Sequence, residues 1–284
     1  VTDTAEAGKA TLPADHHLHT PRCGHAEGTP AEFLAAAKCL AGVGFNDHLP
    51  FIDADMADPA LAMSWDDLPG YVDEVLRLKE RSTRVLLGIE ADFIPGQEGR
   101  LRKVLADLPL DYVYGSVHWV GDWPFDDSRG LARYEGADIN ALYRDYYGLV
   151  VDMARTGLFD VWAHPDIPKK FGFLPTEPMH DAEQTALEAV AAAGMTMEIN
   201  TSGLRKPIGE IYPTADLLRR ACALGIPIVL GSDAHRPAEV GWEFGRAVAL
   251  ARSAGYETYV TFRERERVEV PLPESSSAIR SLED

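Results

Sequence analysis

From Leu12 onward, short apolar runs alternate with longer segments whose apolar positions recur at helical spacing. The apolar runs read as strands ending near Asp15, Asn46, Glu90, Val117, Ala163, Ile199 and Leu230. Between them the spacing predicts helices over Pro30–Ala41, Asp66–Arg81, Gly99–Leu108, Ile139–Thr156, Asp181–Ala193 and Thr214–Leu224, and a seventh, Pro237–Ser253, follows the last strand. Pro30 suits a first helical turn, and Gly42, Gly157, Gly194 and Gly225 stand where helices end. Strands alternating with helices imply βαβ units and a parallel sheet. Seven such repeats fit one closed α/β barrel better than an open sheet. Residues 1–11 read as a flexible N-terminal tail and residues 12–270 as the barrel domain. Within that domain Tyr256–Val270 reads as a late strand or edge segment, and Pro271–Asp284 follows as a polar tail.

Composition narrows the partners. The chain of 284 residues carries 45 acidic and 27 basic side chains, a formal net charge of −18, and its 46% hydrophobic content excludes a disordered or fibrous polymer. That charge argues against a broad surface tracking nucleic acid, so no nucleic-acid partner is expected. A small phosphorylated substrate stays possible, because bound metal ions reverse the local field. Cys23, Cys39 and Cys222 are too few for a disulfide framework and read as reduced thiols of a cytoplasmic protein. No run approaches the roughly 18 apolar residues of a membrane span, and no membrane partner is expected. No heptad or apolar patch bears on oligomeric state.

The nine histidines carry most of the chemistry. Seven stand at the end of a strand or in the loop after it: His17, His19 and His25 after the first, His48 after the second, His118 after the fourth, His164 after the fifth and His235 after the seventh. Glu90 ends the third strand and Asp233 the seventh. In a parallel barrel all strand C-termini open on one face, where active sites are assembled. Seven imidazoles and two carboxylates gathered there suit Zn, Fe or Mn. His17 and His19, two apart on a strand, point the same way and can face one ion. A single His-x-His or Asp-His pair is more often a capping or core feature; recurrence at successive strand ends favours metal. His16 should point to the opposite face, and His180 sits near a helix start; both read as structural. Cys23 reads as a buried or loop thiol.

These residues resemble the polymerase-and-histidinol-phosphatase (PHP) family of metal-dependent phosphoesterases. Asp15-His16-His17-Leu18-His19-Thr20, Asp47-His48, Gly88-Ile89-Glu90, Ser116-Val117-His118, His164 and Gly231-Ser232-Asp233-Ala234-His235 match its motifs in order. Four further segments resemble the histidinol-phosphate phosphatase branch: His19 to Gly28, Glu90 to Phe93, Asp166 to Gly172 and Glu198 to Arg205. The resemblance implies a distorted (β/α)7 TIM-like barrel and hydrolysis of L-histidinol phosphate to L-histidinol and phosphate in histidine biosynthesis. It also implies three divalent metal ions: one held by His17, His19, Glu90 and Asp233, one by Glu90, His118 and His164, and one by His25, His48 and His235.

Three divalent ions against two carboxylates and a hydroxide leave such a site net positive, able to draw in a phosphate dianion. The expected chemistry is attack on phosphorus by a hydroxide bridging two metals. Glu90, Asp233 and His235 are the catalytic candidates, the last two as proton donors to the leaving alkoxide. Arg205 is the best phosphate clamp, because its planar fork matches two phosphate oxygens. Lys169 and Lys170 are weaker candidates, of which at most one faces inward. Glu27, Asp47 and Asp92 are candidate acceptors for the amine and imidazole. The alternative substrates are nucleotides or other small phosphate esters. Amidohydrolase chemistry also starts from His-x-His on a barrel, but the strand-end lysine often used there is not evident.

Overall fold

The structure, a computed structural model, describes residues 12–274. Seven short strands that are buried on both faces run parallel, as helix-covered sheets require. They are β1 (Asp15–Leu18), β2 (Val43–Phe45), β3 (Val85–Asp92), β4 (Tyr112–Ser116), β7 (Val161–Trp162), β8 (Thr196–Asn200) and β9 (Ile228–Gly231), paired in that order. The ring closes where Leu18 bridges Ala234. There the N–H of His19 donates to the Ala234 carbonyl at 2.9 Å, and the N–H of Ala234 to the His17 carbonyl at 3.1 Å. The chain is therefore the expected seven-stranded α/β barrel. The loop after β4 adds a small hairpin, β5 (Trp119–Val120) and β6 (Trp123–Pro124).

Helices α1 (Pro30–Ala36), α2 (Leu68–Arg81), α3 (Glu98–Ala106), α4 (Ile139–Arg155), α5 (His180–Ala192), α6 (Ala215–Ala223) and α7 (Phe244–Ala254) follow the strands. Local chemistry starts several of them. Thr29 and Glu32 form a reciprocal capping box around Pro30, and Asp138 and Thr214 cap α4 and α6. Two helices depart from the sequence expectation. α1 stops at Ala36 rather than Ala41, because Cys39 and Ala41 use their backbone to pair with Leu12. α7 starts at Phe244 rather than Pro237, because the N–H of Gly241 is taken by the Asp15 carboxylate at 2.9 Å. β1 also differs: it begins at Asp15 instead of ending there, and so carries His17 within the strand.

The expected late strand is a hairpin, β10 (Thr258–Arg263) with β11 (Glu266–Pro271), set under the barrel. Val260 and Phe262 enter the interior beside Leu86, Tyr112, Tyr114 and Val229. His16 points to this floor, its Nε2 3.0 Å from Thr261 Oγ1. Tyr112 lies across the interior and donates its hydroxyl to the His16 carbonyl at 2.8 Å. A Cβ on Gly44 would stand 1.9 Å from that hydroxyl, which explains a residue without a side chain in β2. Packing runs past the expected domain boundary at 270, since Leu272 is buried and donates its N–H to Glu257 at 2.9 Å. The tail expected over 1–11 and the end of the second tail lie outside the described residues. Among the described residues no helix is long and apolar enough to cross a membrane.

Candidate metal centre

The strand ends bring the nine expected donors to one mouth of the barrel. Asp15 fixes the seam there, accepting the N–H groups of Ser232 at 2.9 Å, Gly241 at 2.9 Å and His17 at 3.2 Å. Burial pushes its carboxyl up to about 6, against the pull of those donors. Glu90, at the end of β3, is the hub. Its Oε2 lies 3.1 Å from His17 Nε2, 3.2 Å from His48 Nδ1 and 3.5 Å from His19 Nε2. Its Oε1 lies 3.0 Å from His164 Nε2 and 3.7 Å from His118 Nε2. Asp233 Oδ1 faces His19 Nε2 at 3.3 Å and His235 Nδ1 at 3.5 Å. The His25 and His235 rings stack at 4.6 Å and the His19 and His235 rings at 4.2 Å, which completes the cluster.

Most of these rings are held from behind. His17 Nδ1 meets Glu198 at 2.7 Å, His118 Nδ1 meets Asp92 at 2.9 Å, and His25 Nδ1 meets the Cys23 carbonyl at 2.9 Å. His19 Nδ1 lies 3.5 Å from Asp47. A partner at Nδ1 fixes the tautomer and turns Nε2 to the centre, as metal-ligating histidines require. His164 and Asp233 have φ of 28° and 51°, left-handed backbone that costs a non-glycine residue energy and is typical of functional sites.

Buried polar atoms need partners, yet Nε2 of His19 and Nε2 of His235 have no hydrogen-bond partner among the described residues. Imidazole and carboxylate donors converging on such orphaned nitrogens fit divalent cations. Groups of His, Asp and Glu close enough to share an ion include His17, His19 and Asp233; His48, Glu90 and His118; and His19, His48 and His235. Charge in the centre is arranged to match. Burial opposes a proton on His17 and His19, but carboxylates outweigh it, those of Glu198, Glu90 and Asp233 at His17 and those of Asp233 and Asp47 at His19, and raise both rings well above the ordinary range. Burial likewise opposes charge on Glu90 and Asp233, and the surrounding imidazoles overcome it and hold both well below the usual carboxylate range. His48 and His235 are pushed well down by burial.

The model of the PHP domain family matches residues 15–202, from β1 through β8. The chain belongs to the PHP domain family. This PHP chain is 48% identical over 256 residues to a probable histidinol-phosphatase of Deinococcus radiodurans, with 88% of this chain and 96% of that one covered. It is 28% identical to the histidinol-phosphatase of Bacillus subtilis, with 81% and 96% covered. Its fold is similar to the crystal structure of a Lactococcus lactis histidinol phosphate phosphatase complexed with Zn, L-histidinol and phosphate. The TM-score is 0.78 at 21% identity, covering 91% of this chain and 99% of that one.

The mouth of the PHP barrel opens into a cavity with two lobes. The inner lobe, about 370 Å³, is lined by Glu90, His164, Asp233, His235, Lys170, Arg205 and Lys206 among others. Arg205 lines the inner lobe. Its guanidinium lies 5.3 Å from the Trp242 ring, one Nη2 donates to the carbonyls of Ser232 at 2.8 Å and Asp233 at 3.1 Å, and Nη1 has no partner among the described residues. Lys170 reaches the cavity with Nζ 3.3 Å from Asp126. Asp92 lines the outer lobe while holding His118.

Three substrate candidates fall elsewhere. Lys169 turns away in the 3-10 turn Ile167–Lys169 and is buried between Asp166 at 3.1 Å and Glu210 at 3.2 Å. Asp47 is fully buried behind His19, where it accepts the N–H and hydroxyl of Thr20. Glu27 is exposed and paired with Arg236 at 3.4 Å. Sequence reasoning passed over Glu198, Asp126, Lys206 and Glu239. Glu198 alone left a trace, two residues before Asn200 and so on the same strand face.

Proposed function

We propose that this PHP protein is the phosphomonoesterase that hydrolyses L-histidinol phosphate to L-histidinol and phosphate, the phosphatase step of histidine biosynthesis. The observation that carries the chemistry is the complete ring of seven imidazoles around Glu90 and Asp233 at a cavity floored by Arg205. The 48% identity to a histidinol-phosphatase along nearly the whole chain supports the substrate.

Three divalent ions fit the donor set: His17, His19, Glu90 and Asp233 would hold the first, Glu90, His118 and His164 the second, and His25, His48 and His235 the third. Such ions supply an activated water at neutral pH and neutralise the phosphoryl charge. Glu90 would serve both of the first two ions, since its two oxygens face opposite groups of rings. Arg205, with Nη1 free of partners among the described residues, binds phosphate oxygens and keeps the ester oriented. Asp233 and His235, 3.5 Å apart at the same lip and both kept in their proton-poor forms by their surroundings, are placed to relay a proton from water to the departing alkoxide. Water is thereby split between the two products, its oxygen going to phosphate and a proton to the alcohol. The three unpaired cysteines suit a reducing, cytoplasmic setting.

The deciding experiment measures phosphate release with Mn or Zn supplied, comparing kcat/KM for L-histidinol phosphate, AMP and p-nitrophenyl phosphate. A preference for histidinol phosphate of about a hundredfold or more is expected from a site that reads polar groups. Equal turnover of all three overturns the substrate assignment.

A further inference from the structure

Beside the metal-facing lobe lies the outer lobe of the cavity, about 450 Å³, which contributes no proposed metal ligand beyond those the two lobes share. Its walls are different in kind. Phe51, Trp119 and Phe171 supply aromatic surface, with the Phe51 and Trp119 rings edge to face at 6.2 Å. Three acidic residues besides the donors reach it: Asp92, Asp126 and Asp127. Two of these are engaged. Asp92 holds His118 Nδ1 at 2.9 Å, and Asp127 is paired with Arg129 at 2.6 Å. Asp126 differs. Its Oδ2 meets Lys170 at 3.3 Å, its Oδ1 has no partner among the described residues, and it lines both lobes.

Moving outward from Arg205, the cavity thus presents cationic and metal-binding groups, then the Asp126–Lys170 pair, then an aromatic wall. The substrate named above has the same order of chemistry. Its phosphate ester is followed by a carbon bearing an ammonium, and one carbon further by a flat imidazole. We propose that the outer lobe is the specificity subsite for the organic half of the substrate, with Asp126 accepting the ammonium at the junction of the lobes and Phe51, Trp119 and Phe171 enclosing the imidazole.

This inference rests on the proposed function and deepens it. The ammonium sits three bonds from the ester oxygen, so its acceptor must stand where the lobes meet, and Asp126 is the carboxylate there that hydrogen-bonds to no metal-facing ring. Lys170 lines both lobes as well, so an entering substrate divides the pair, ammonium against Asp126 and phosphate against Lys170. A carboxylate so placed rejects phosphate esters with no cation beside the ester carbon, because it is then left half-buried in the occupied cavity with Lys170 as its one cationic partner.

The test uses the full chain loaded with Mn and three substrates: L-histidinol phosphate, O-phosphoethanolamine, which keeps the ammonium and lacks the ring, and p-nitrophenyl phosphate, which lacks both cationic groups. Ratios of kcat/KM are compared, because a ratio is independent of how much enzyme carries metal. In the wild type, preference for histidinol phosphate establishes the functional reading, and its absence removes both that reading and this subsite. Given that preference, Asp126→Asn is expected to lower the histidinol phosphate to p-nitrophenyl phosphate ratio by about ten- to hundredfold, the worth of a charge-assisted hydrogen bond. Trp119→Leu is expected to lower the same ratio while the phosphoethanolamine to p-nitrophenyl phosphate ratio moves less than twofold. A wild-type preference retained within twofold in Asp126→Asn overturns the subsite and leaves the function standing. A Trp119→Leu protein that loses both ratios equally overturns the assignment of the ring to the aromatic wall.

Discussion

Glu198 Oε1 lies 2.7 Å from His17 Nδ1, while its Oε2 accepts the backbone N–H of His164 at 2.6 Å. One buried carboxylate on β8 therefore sets two donors that reach the centre from opposite sides of the ring of strands. Removing its charge while keeping its shape, as in Glu198→Gln, loosens both. Metal affinity is expected to fall about ten- to hundredfold, the usual effect of losing a partner behind a ligating histidine. Equilibrium competition with a chelator measures this, and unchanged affinity would remove Glu198 from the centre.

Gly231 is packed against that same pair. A Cβ added there would stand 2.0 Å from Glu198 Oε1 and 2.8 Å from His17 Cβ. Gly231→Ala is expected to destabilise the fold by about 1–3 kcal/mol through overpacking and to lower metal content with it. Thermal unfolding together with elemental analysis reads both effects.

Arg205 combines a fixed seat with an Nη1 that is unpaired among the described residues. Arg205→Lys retains the charge and loses the planar fork, so kcat/KM for the phosphate ester is expected to drop about tenfold or more. Metal content should stay at the wild-type level. Kinetics that match the wild type would exclude Arg205 as the clamp.

Metal loading should depend on pH with a definite sign. His17, by Glu198, Glu90 and Asp233, and His19, by Asp233 and Asp47, are raised well above the ordinary imidazole range against burial, so in the metal-free protein they carry protons near neutrality. Those protons must leave before the rings can ligate. Apparent affinity is therefore expected to rise between pH 6 and pH 8, with protons released on loading. Calorimetric titration in two buffers of different ionisation enthalpy counts them, and zero release would contradict the charge arrangement.

His16 gives the opposite kind of titration. Burial lowers its ring from 6.5 to about 4, so the folded protein keeps it neutral while the unfolded chain takes up a proton below about pH 6.5. Its contribution is complete above pH 6.5 and is lost as pH falls toward 4, by up to about 3 kcal/mol. Urea unfolding of metal-stripped protein between pH 7.5 and 4.5 should show a shallower decline in His16→Gln than in the wild type.

The strand count, the starts of the capped helices and the gathering of the nine donors were legible in the sequence because each has a local cause: apolar runs, capping residues and polar strand ends. The misreadings share another cause. α1 ends early because Leu12, far back in the chain, takes up the backbone of Cys39 and Ala41. Lys169 and Lys170 are neighbours, and only the turn at Ile167–Lys169 decides which one reaches the cavity. Asp47 stands beside His48 in sequence yet serves His19 from behind. Asp126 comes from a loop with no periodicity, and its neighbour Lys170 is 44 residues away. Such groupings are properties of the closed ring.

The hairpin under the barrel also orders events during synthesis. Tyr259 accepts the N–H of Ala14 and Thr261 meets His16, each pairing residues 245 apart in the chain. Every wall strand is made before the segment that seals its floor. Until Val260 and Phe262 arrive, the interior beneath Tyr112 is open to water, and contacts of such long sequence separation form slowly. A chain ending at residue 257 would hold all nine metal-facing donors and still have an unsealed barrel, so metal capture and completion of the core become separable steps of folding.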